Sequence, residues 1–114
     1  MEKLTDFFKM LSDETRLRIL VLLHHRELCV CQLTGITGIS QPNISKHLAK
    51  LRDMGFVRDE RKEQYTFYYL DLEHEQDAQV LQIIADNIRE YPKLKLDIEK
   101  SRAADRFIEL MSAK

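Results

Sequence analysis

Residues 27–51, ELCVCQLTGITGISQPNISKHLAKL, constrain this chain more than any other stretch. Apolar Leu28, Val30, Leu33 and Ile36 run up to a Gly38-Ile39-Ser40 corner, and beyond it Ile44, Leu48 and Leu51 recur at steps of four and three. The spacing predicts two short helices joined by a tight turn. Ser40 is placed to cap the second through its hydroxyl. With the apolar stripe turned inward, the opposite face carries Pro42, Asn43, Lys46, Ala49 and Lys50, flanked by Gln41, Ser45 and His47. That surface is basic and rich in amides, which suits the major groove of duplex DNA.

Two helices of this size cannot bury their own apolar sides, so the flanking chain must supply a core. In residues 1–11, Leu4, Phe7, Phe8 and Leu11 recur at helical spacing, with Glu2, Lys3, Asp6 and Lys9 around them. A new helix begins in LSDETRLRILVLLHH: Ser12 or Asp13 can cap it, Glu14 suits its positive end, and Leu17, Leu20, Val21 and Leu23 supply core. His24 and His25 fall at its last turn, where a cation is favourable, and adjacent helix positions do not face one metal ligand. Beyond the central stretch, Asp53-Met54-Gly55 reads as a helix end, with Gly55 the stop. Residues 56–61 and 64–70 read as two strands, the second carrying Tyr65, Phe67, Tyr68 and Tyr69, with Arg61-Lys62-Glu63 as a charged tip.

Two helices followed directly by a hairpin make a winged helix-turn-helix. The expected fold is mainly α with a small β-hairpin wing, four helices before the hairpin and two after it. Arg58, Arg61 and Lys62 are the candidate phosphate contacts of the wing. Residues 75–91 predict a long helix whose apolar sector, Ala78, Val80, Leu81, Ile83, Ile84 and Ile88, is broader than one contact needs. Such a helix packs on its own domain and on a second copy. Pro92 interrupts it, and a last helix at about 94–111 repeats Ala104, Phe107, Ile108 and Met111. The 114 residues are read as one domain, with the helices at 1–11 and 75–111 forming a dimer interface.

Charge is divided unevenly. Residues 1–70 hold 11 Lys and Arg against 9 Asp and Glu, whereas residues 71–114 hold 7 against 10, a balance compatible with DNA on one side only. No run approaches the twenty or so apolar residues of a membrane span, and the first residues lack the pattern of a signal peptide, so the expected location is cytoplasmic. The two cysteines, Cys29 and Cys31, are too close for a loop-stapling disulfide and are expected to act as thiols. Glycine occurs only at 35, 38 and 55, which leaves no phosphate-cradling loop, and neither a metalloprotease helix nor a serine elbow is present. The chain is not expected to be an enzyme.

LSDETRLRILVLL, ELCVCQL, GISQPNISKHLAKLRDMGFV and the closing YYL resemble the ArsR/SmtB family of dimeric winged-helix repressors, over nearly the whole chain up to about Leu70. The resemblance implies a homodimer on a near-palindromic double-stranded DNA operator, released when a metal or metalloid binds. ELCVC is similar to that family's arsenic-sensing box, which implies arsenite or antimonite as inducer and Cys29 and Cys31 as ligands. Thr34 stands where the third thiol of that box is expected. Within this frame Gln41, Asn43, Ser45 and Lys46 are the expected groove readers, His47 and Lys50 the expected phosphate contacts, and Ser40 lies beside them on the DNA face. The family's other site, His and carboxylate pairs on the long helix, has no support: His74 precedes that helix and no histidine follows.

Thiolates select soft acceptors such as arsenite, antimonite or cadmium, and a helix N-terminus is expected to lower a cysteine's pKa. Residues i and i+2 lie about 200° apart on a regular helix, so joint binding is expected to unwind its first turn and to move the reading helix. The competing readings are a redox-responsive repressor, a constitutive one whose cysteines are buried small hydrophobes, and a protein-interaction module without salt-dependent duplex binding.

Overall fold

The computed structural model describes residues 2–106. In chain order the elements are α1 (Glu2–Leu11), α2 (Glu14–His25), β1 (Leu28–Cys29), α3 (Val30–Thr37), α4 (Gln41–Asp53), β2 (Val57–Lys62), β3 (Tyr65–Leu70), α5 (Glu75–Asp86), a 3-10 turn (Ile88–Glu90) and α6 (Pro92–Ser101). This is the winged helix-turn-helix, mainly helical with a small antiparallel sheet.

The core is built around α2. Ile19, Leu20, Val21, Leu22 and Leu23 are buried in succession, because α1, α4, α5, α6 and β3 all pack against this helix. Asp13 caps it, its carboxylate accepting from the Arg16 amide at 3.0 Å, so the cap falls to Asp13 rather than Ser12. On α1, Phe7 and Met10 are buried while Phe8, expected in the stripe, is 50% exposed.

The sheet has three strands in the order β1-β3-β2, one more than the expected hairpin. Leu28 pairs with Tyr68 and Cys29 with Phe67, so two residues placed at the start of a helix by their apolar spacing are instead an edge strand. A two-residue strand is too short to show a period in sequence. In the wing, Val57↔Leu70 through Lys62↔Tyr65 form a continuous register, which makes Glu63-Gln64 the tip. Glu63 lies at φ 57°, a left-handed conformation that glycine adopts more readily.

Gly55 ends α4 as expected. Its φ is 83°, its amide donates to Arg52, and Phe56 donates to Leu51 at 2.9 Å, the paired bonds of a Schellman motif. The long helix is shorter than its apolar pattern: α5 stops at Asp86, the Asn87 side chain donating to the Ile83 carbonyl, and a 3-10 turn leads to Pro92. Only Leu81 of its apolar sector is fully buried in the single chain, and Ile83 is 62% exposed. Residues 107–111 of the expected last helix lie outside the described residues; α6 itself begins earlier, at Pro92.

Candidate nucleic-acid interface and thiol site

Ile44, Leu48 and Leu51 are wholly buried, which fixes the rotation of α4 about its own axis. Gln41, Pro42, Asn43, Ser45, Lys46 and Lys50 are consequently exposed, on the face the apolar spacing assigned to them. Neither lysine has an ion-pair partner among the described residues, so their charge is available to a polyanion. Ser40 holds the N-cap position but makes no side-chain capping bond; its carbonyl accepts from the Ile44 amide at 3.0 Å, and Pro42 in the first turn has no amide to satisfy. The Ser40 hydroxyl therefore remains on the surface with the first-turn amides. His47 is half-buried, with Nδ1 4.0 Å from the Asp13 carboxylate, which competes with phosphate for it.

The wing cations are engaged. Arg58 donates to Asp71 at 2.6 Å, Lys62 pairs with Glu27, and Arg61 reaches the Glu63 carbonyl at 3.4 Å. All are exposed contacts that water screens, so phosphate can displace them.

The angle between α3 and α4 is set by Gly38, at φ 74°, whose amide donates to the Thr34 carbonyl at 2.8 Å. One residue earlier the Thr37 carbonyl accepts from Arg18 Nη2 at 3.3 Å. The same guanidinium grips Asp97 of α6 through two bonds of 2.8 and 2.9 Å; Asp97 is buried and Arg18 partly so. Arg18 and Asp97 thus join α2, α6 and the turn into one support beneath α4. Asp97 holds the Arg18 pKa above its usual value. Sequence reasoning missed this pair because 79 positions separate its members.

At the other end of α3 lie the cysteines. Cys29 is buried and Cys31 half-buried; both are free thiols, and their sulfurs are 2.7 Å apart. The expectation that a regular helix would hold them apart is overturned. Cys29 precedes the helix, at φ −91° and ψ 170°, so extended backbone turns its side chain toward that of Cys31 and no unwinding is needed. The expected lowering of the thiol pKa is also overturned for Cys31. Burial, then the Cys29 thiol beside it, pushes Cys31 up to about 12.

Gln32, wholly inside, links this end to the rest of the chain. Its Oε1 accepts from the Cys29 amide at 3.0 Å, and its Nε2 reaches Asp105 at 3.4 Å, the carboxylate that Arg26 also contacts at 3.1 Å. A Gln three residues after the N-cap is half of a capping box, a signal the sequence did carry. Among the described residues no group of three or more His, Cys, Asp or Glu side chains is placed to hold a metal ion.

Residues 13–59, from the cap of α2 to the middle of β2, match the family model described as bacterial regulatory protein, arsR family. The structure of HlyU from Vibrio cholerae is 31% identical, with a TM-score of 0.68 over 79% of this chain and 92% of that one. The chain belongs to the ArsR family. Among ArsR-family relatives, the arsenic resistance transcriptional regulator ArsR1 of Pseudomonas putida is 50% identical over 64 residues, 55% of this chain and 50% of that protein. The match spans about half the length of that curated relative. The AntR antimony-specific transcriptional repressor, compared as a structure, is 26% identical with a TM-score of 0.66, over 81% of this chain and 82% of that one. The segment matched by the ArsR family model contains both cysteines and the whole of α4. No helix among the described residues is long and apolar enough to cross a membrane.

Proposed function

We propose that the chain is a homodimeric transcriptional repressor, acting in the cytoplasm, that leaves a near-palindromic operator when arsenite or antimonite is taken up by Cys29 and Cys31. The observation that carries this reading is the contact of the two sulfurs at the entrance to α3, the helix that leads through one turn into α4. Two adjacent thiols fit a trivalent, thiophilic centre, which takes sulfur in preference to oxygen ligands from carboxylates. The names of ArsR1 and AntR support the same class of inducer.

In the DNA-bound state Gln41, Asn43, Ser45 and Lys46 read base edges, Lys50 and His47 meet phosphate, and the wing residues Arg58, Arg61 and Lys62 extend the backbone contact. The exposed Phe8 of α1 and Ile83 of α5 support pairing with a second copy, which sets two reading helices on successive half-sites.

Release follows from what the thiols hold. In the free protein Cys31 carries its proton at neutral pH. Bridging the sulfurs removes both protons and adds bulk where β1 meets α3. The Cys29 amide, Gln32 and Asp105 then have to re-accommodate, and α3 shifts against α6. Because Arg18 binds both Thr37 and Asp97, a shift of α3 against α6 strains the support of α4. The inducer acts by preferring the arrangement with the poorer DNA fit, and by linkage DNA lowers inducer affinity by the same factor.

The test is fluorescence anisotropy of the reduced protein on DNA from upstream of its own gene, titrated with arsenite and antimonite beside a Cys29→Ser/Cys31→Ser control. Release in the parent alone is expected; equal DNA binding by both proteins throughout overturns the thiol mechanism. The same sulfur contact supports a second reading, oxidation of the pair, and release by oxidant but not by arsenite would establish it.

A further inference from the structure

Two threonines stand one turn apart on α3 and their hydroxyls fare differently. Thr37 donates to the Leu33 carbonyl four residues back at 2.8 Å, the ordinary resort of a helical hydroxyl. Thr34 has the carbonyl of Val30 at the same spacing and does not use it. Its Oγ1 is buried and has no hydrogen-bond partner among the described residues. A hydroxyl taken out of water and left unbonded carries a desolvation cost that nothing in the resting protein offsets. Thr34 follows Cys31 by three residues, so the two side chains are neighbours on one face of α3, and Cys31 touches Cys29.

We propose that Thr34 Oγ1 completes the inducer site, holding the single oxygen that a trivalent oxyacid of arsenic or antimony keeps once both thiols have bound it. This rests on the thiol reading above. Arsenous acid presents three hydroxyls on one arsenic. Each thiol transfers its proton to one of them as sulfur takes its place: two S–H and two As–O bonds break, two As–S bonds form, and two waters leave. No electron moves, and arsenic stays trivalent. One As–OH remains, and beside the buried Thr34 Oγ1 it is met by a partner that both donates and accepts. A threonine hydroxyl does both. No carboxylate, imidazole or third thiol is available for the task among the described residues.

The consequence is selectivity. Methylarsonous acid loses both its hydroxyls to the thiols and presents a methyl group where arsenous acid presents oxygen, so Thr34 favours the inorganic oxyacid over the methylated one. Without inducer, Thr34→Val removes an unbonded polar atom at nearly constant volume, and this variant is expected to melt above the parent.

The experiment uses the full, reduced protein and its Thr34→Val and Thr34→Ser variants. Each is titrated with arsenite and with methylarsonous acid, read by the ultraviolet absorbance of the arsenic–thiolate bonds. Expected is an arsenite affinity about tenfold weaker in Thr34→Val and largely restored in Thr34→Ser, with methylarsonous acid unchanged within about twofold. Equal arsenite affinity in parent and Thr34→Val overturns the role of Thr34 and leaves the thiol reading standing. So does a parallel loss for both ligands, which marks a change of shape rather than of hydrogen bonding. If the parent gains no arsenic–thiolate absorbance with either ligand, the thiol reading is overturned and this inference with it.

Discussion

The reading helix and the wing both present cations, and they hold them in opposite ways. Lys46 and Lys50 stand on α4 without an acidic partner among the described residues, whereas Arg58 and Lys62 of the wing are already tied to Asp71 and Glu27. Their supports differ too. The helix rests on wholly buried Ile44, Leu48 and Leu51 and on a turn tied to the Arg18–Asp97 pair; the wing is rooted by buried Val57 and by β3 against α2, but β2 beyond Val57 is exposed and its cations are held by ion pairs that water reaches. A net charge of −1 conceals this. What matters to a polyanion is which cations are uncompensated; on α4 those are Lys46 and Lys50, while Arg52 near its end pairs with Asp59 of the wing at 3.5 Å.

The largest effect that separates the two regions is on stability. Arg18→Met leaves Asp97 buried without its partner, and a loss of about 3–5 kcal/mol is expected. Arg58→Ala breaks an exposed pair and is expected to cost under about 1 kcal/mol. Urea unfolding of both variants measures the gap, and similar losses would show that the support of α4 is no stiffer than that of the wing. Arg18→Met/Asp97→Leu sharpens the point: with both charges gone, much of the lost stability should return.

A smaller separation is expected in DNA affinity. Lys46→Ala should weaken operator binding by about 1–3 kcal/mol if the lysine reads a base, leaving the unfolding curve unchanged. Arg58→Ala should lose less, because the free protein regains part of the cost when Asp71 no longer holds the guanidinium. Asp71→Asn releases Arg58 and is expected to tighten binding, with a slope against log salt that steepens by up to about one counterion. Anisotropy titrations across salt concentrations test all three, and an Arg58→Ala loss as large as that of Lys46→Ala would erase the distinction.

The inward stripe of α4, its polar face and the Gly55 stop were legible because each is a local pattern: an apolar period, or one residue with one conformational advantage. The strand Leu28–Cys29 was not, since two residues have no period and their pairing partners lie about 40 positions on. Treating Cys29 as helical also misplaced its sulfur, because a single extended residue reverses the geometry that helical spacing implies. The family motif fixed the cysteines as a pair worth examining, and only the backbone at the helix entrance shows that they meet. Arg18 and Asp97 were invisible for a different reason: a charged residue within a helical pattern reads as surface until its distant partner is placed.

The finest distinction between the two regions lies in their left-handed residues. Gly38 joins α3 to α4 at φ 74°, and a Cβ added there would have no atom within 4 Å, so Gly38→Ala meets no clash. Its expected cost, about 1–2 kcal/mol, is backbone strain alone. At the wing tip Glu63 already bears the corresponding strain, with φ 57°. Glu63→Gly relieves it, but the glycine also frees the unfolded chain, which offsets about 0.5–1 kcal/mol. A net gain under about 1 kcal/mol is therefore expected. Removing a carboxylate beside Arg61 and Lys62 should raise DNA affinity slightly as well. Unfolding midpoints in urea decide between the signs: a loss on Glu63→Gly would mean that the tip is held by its side chain, and that the wing is better braced than its exposed pairs imply.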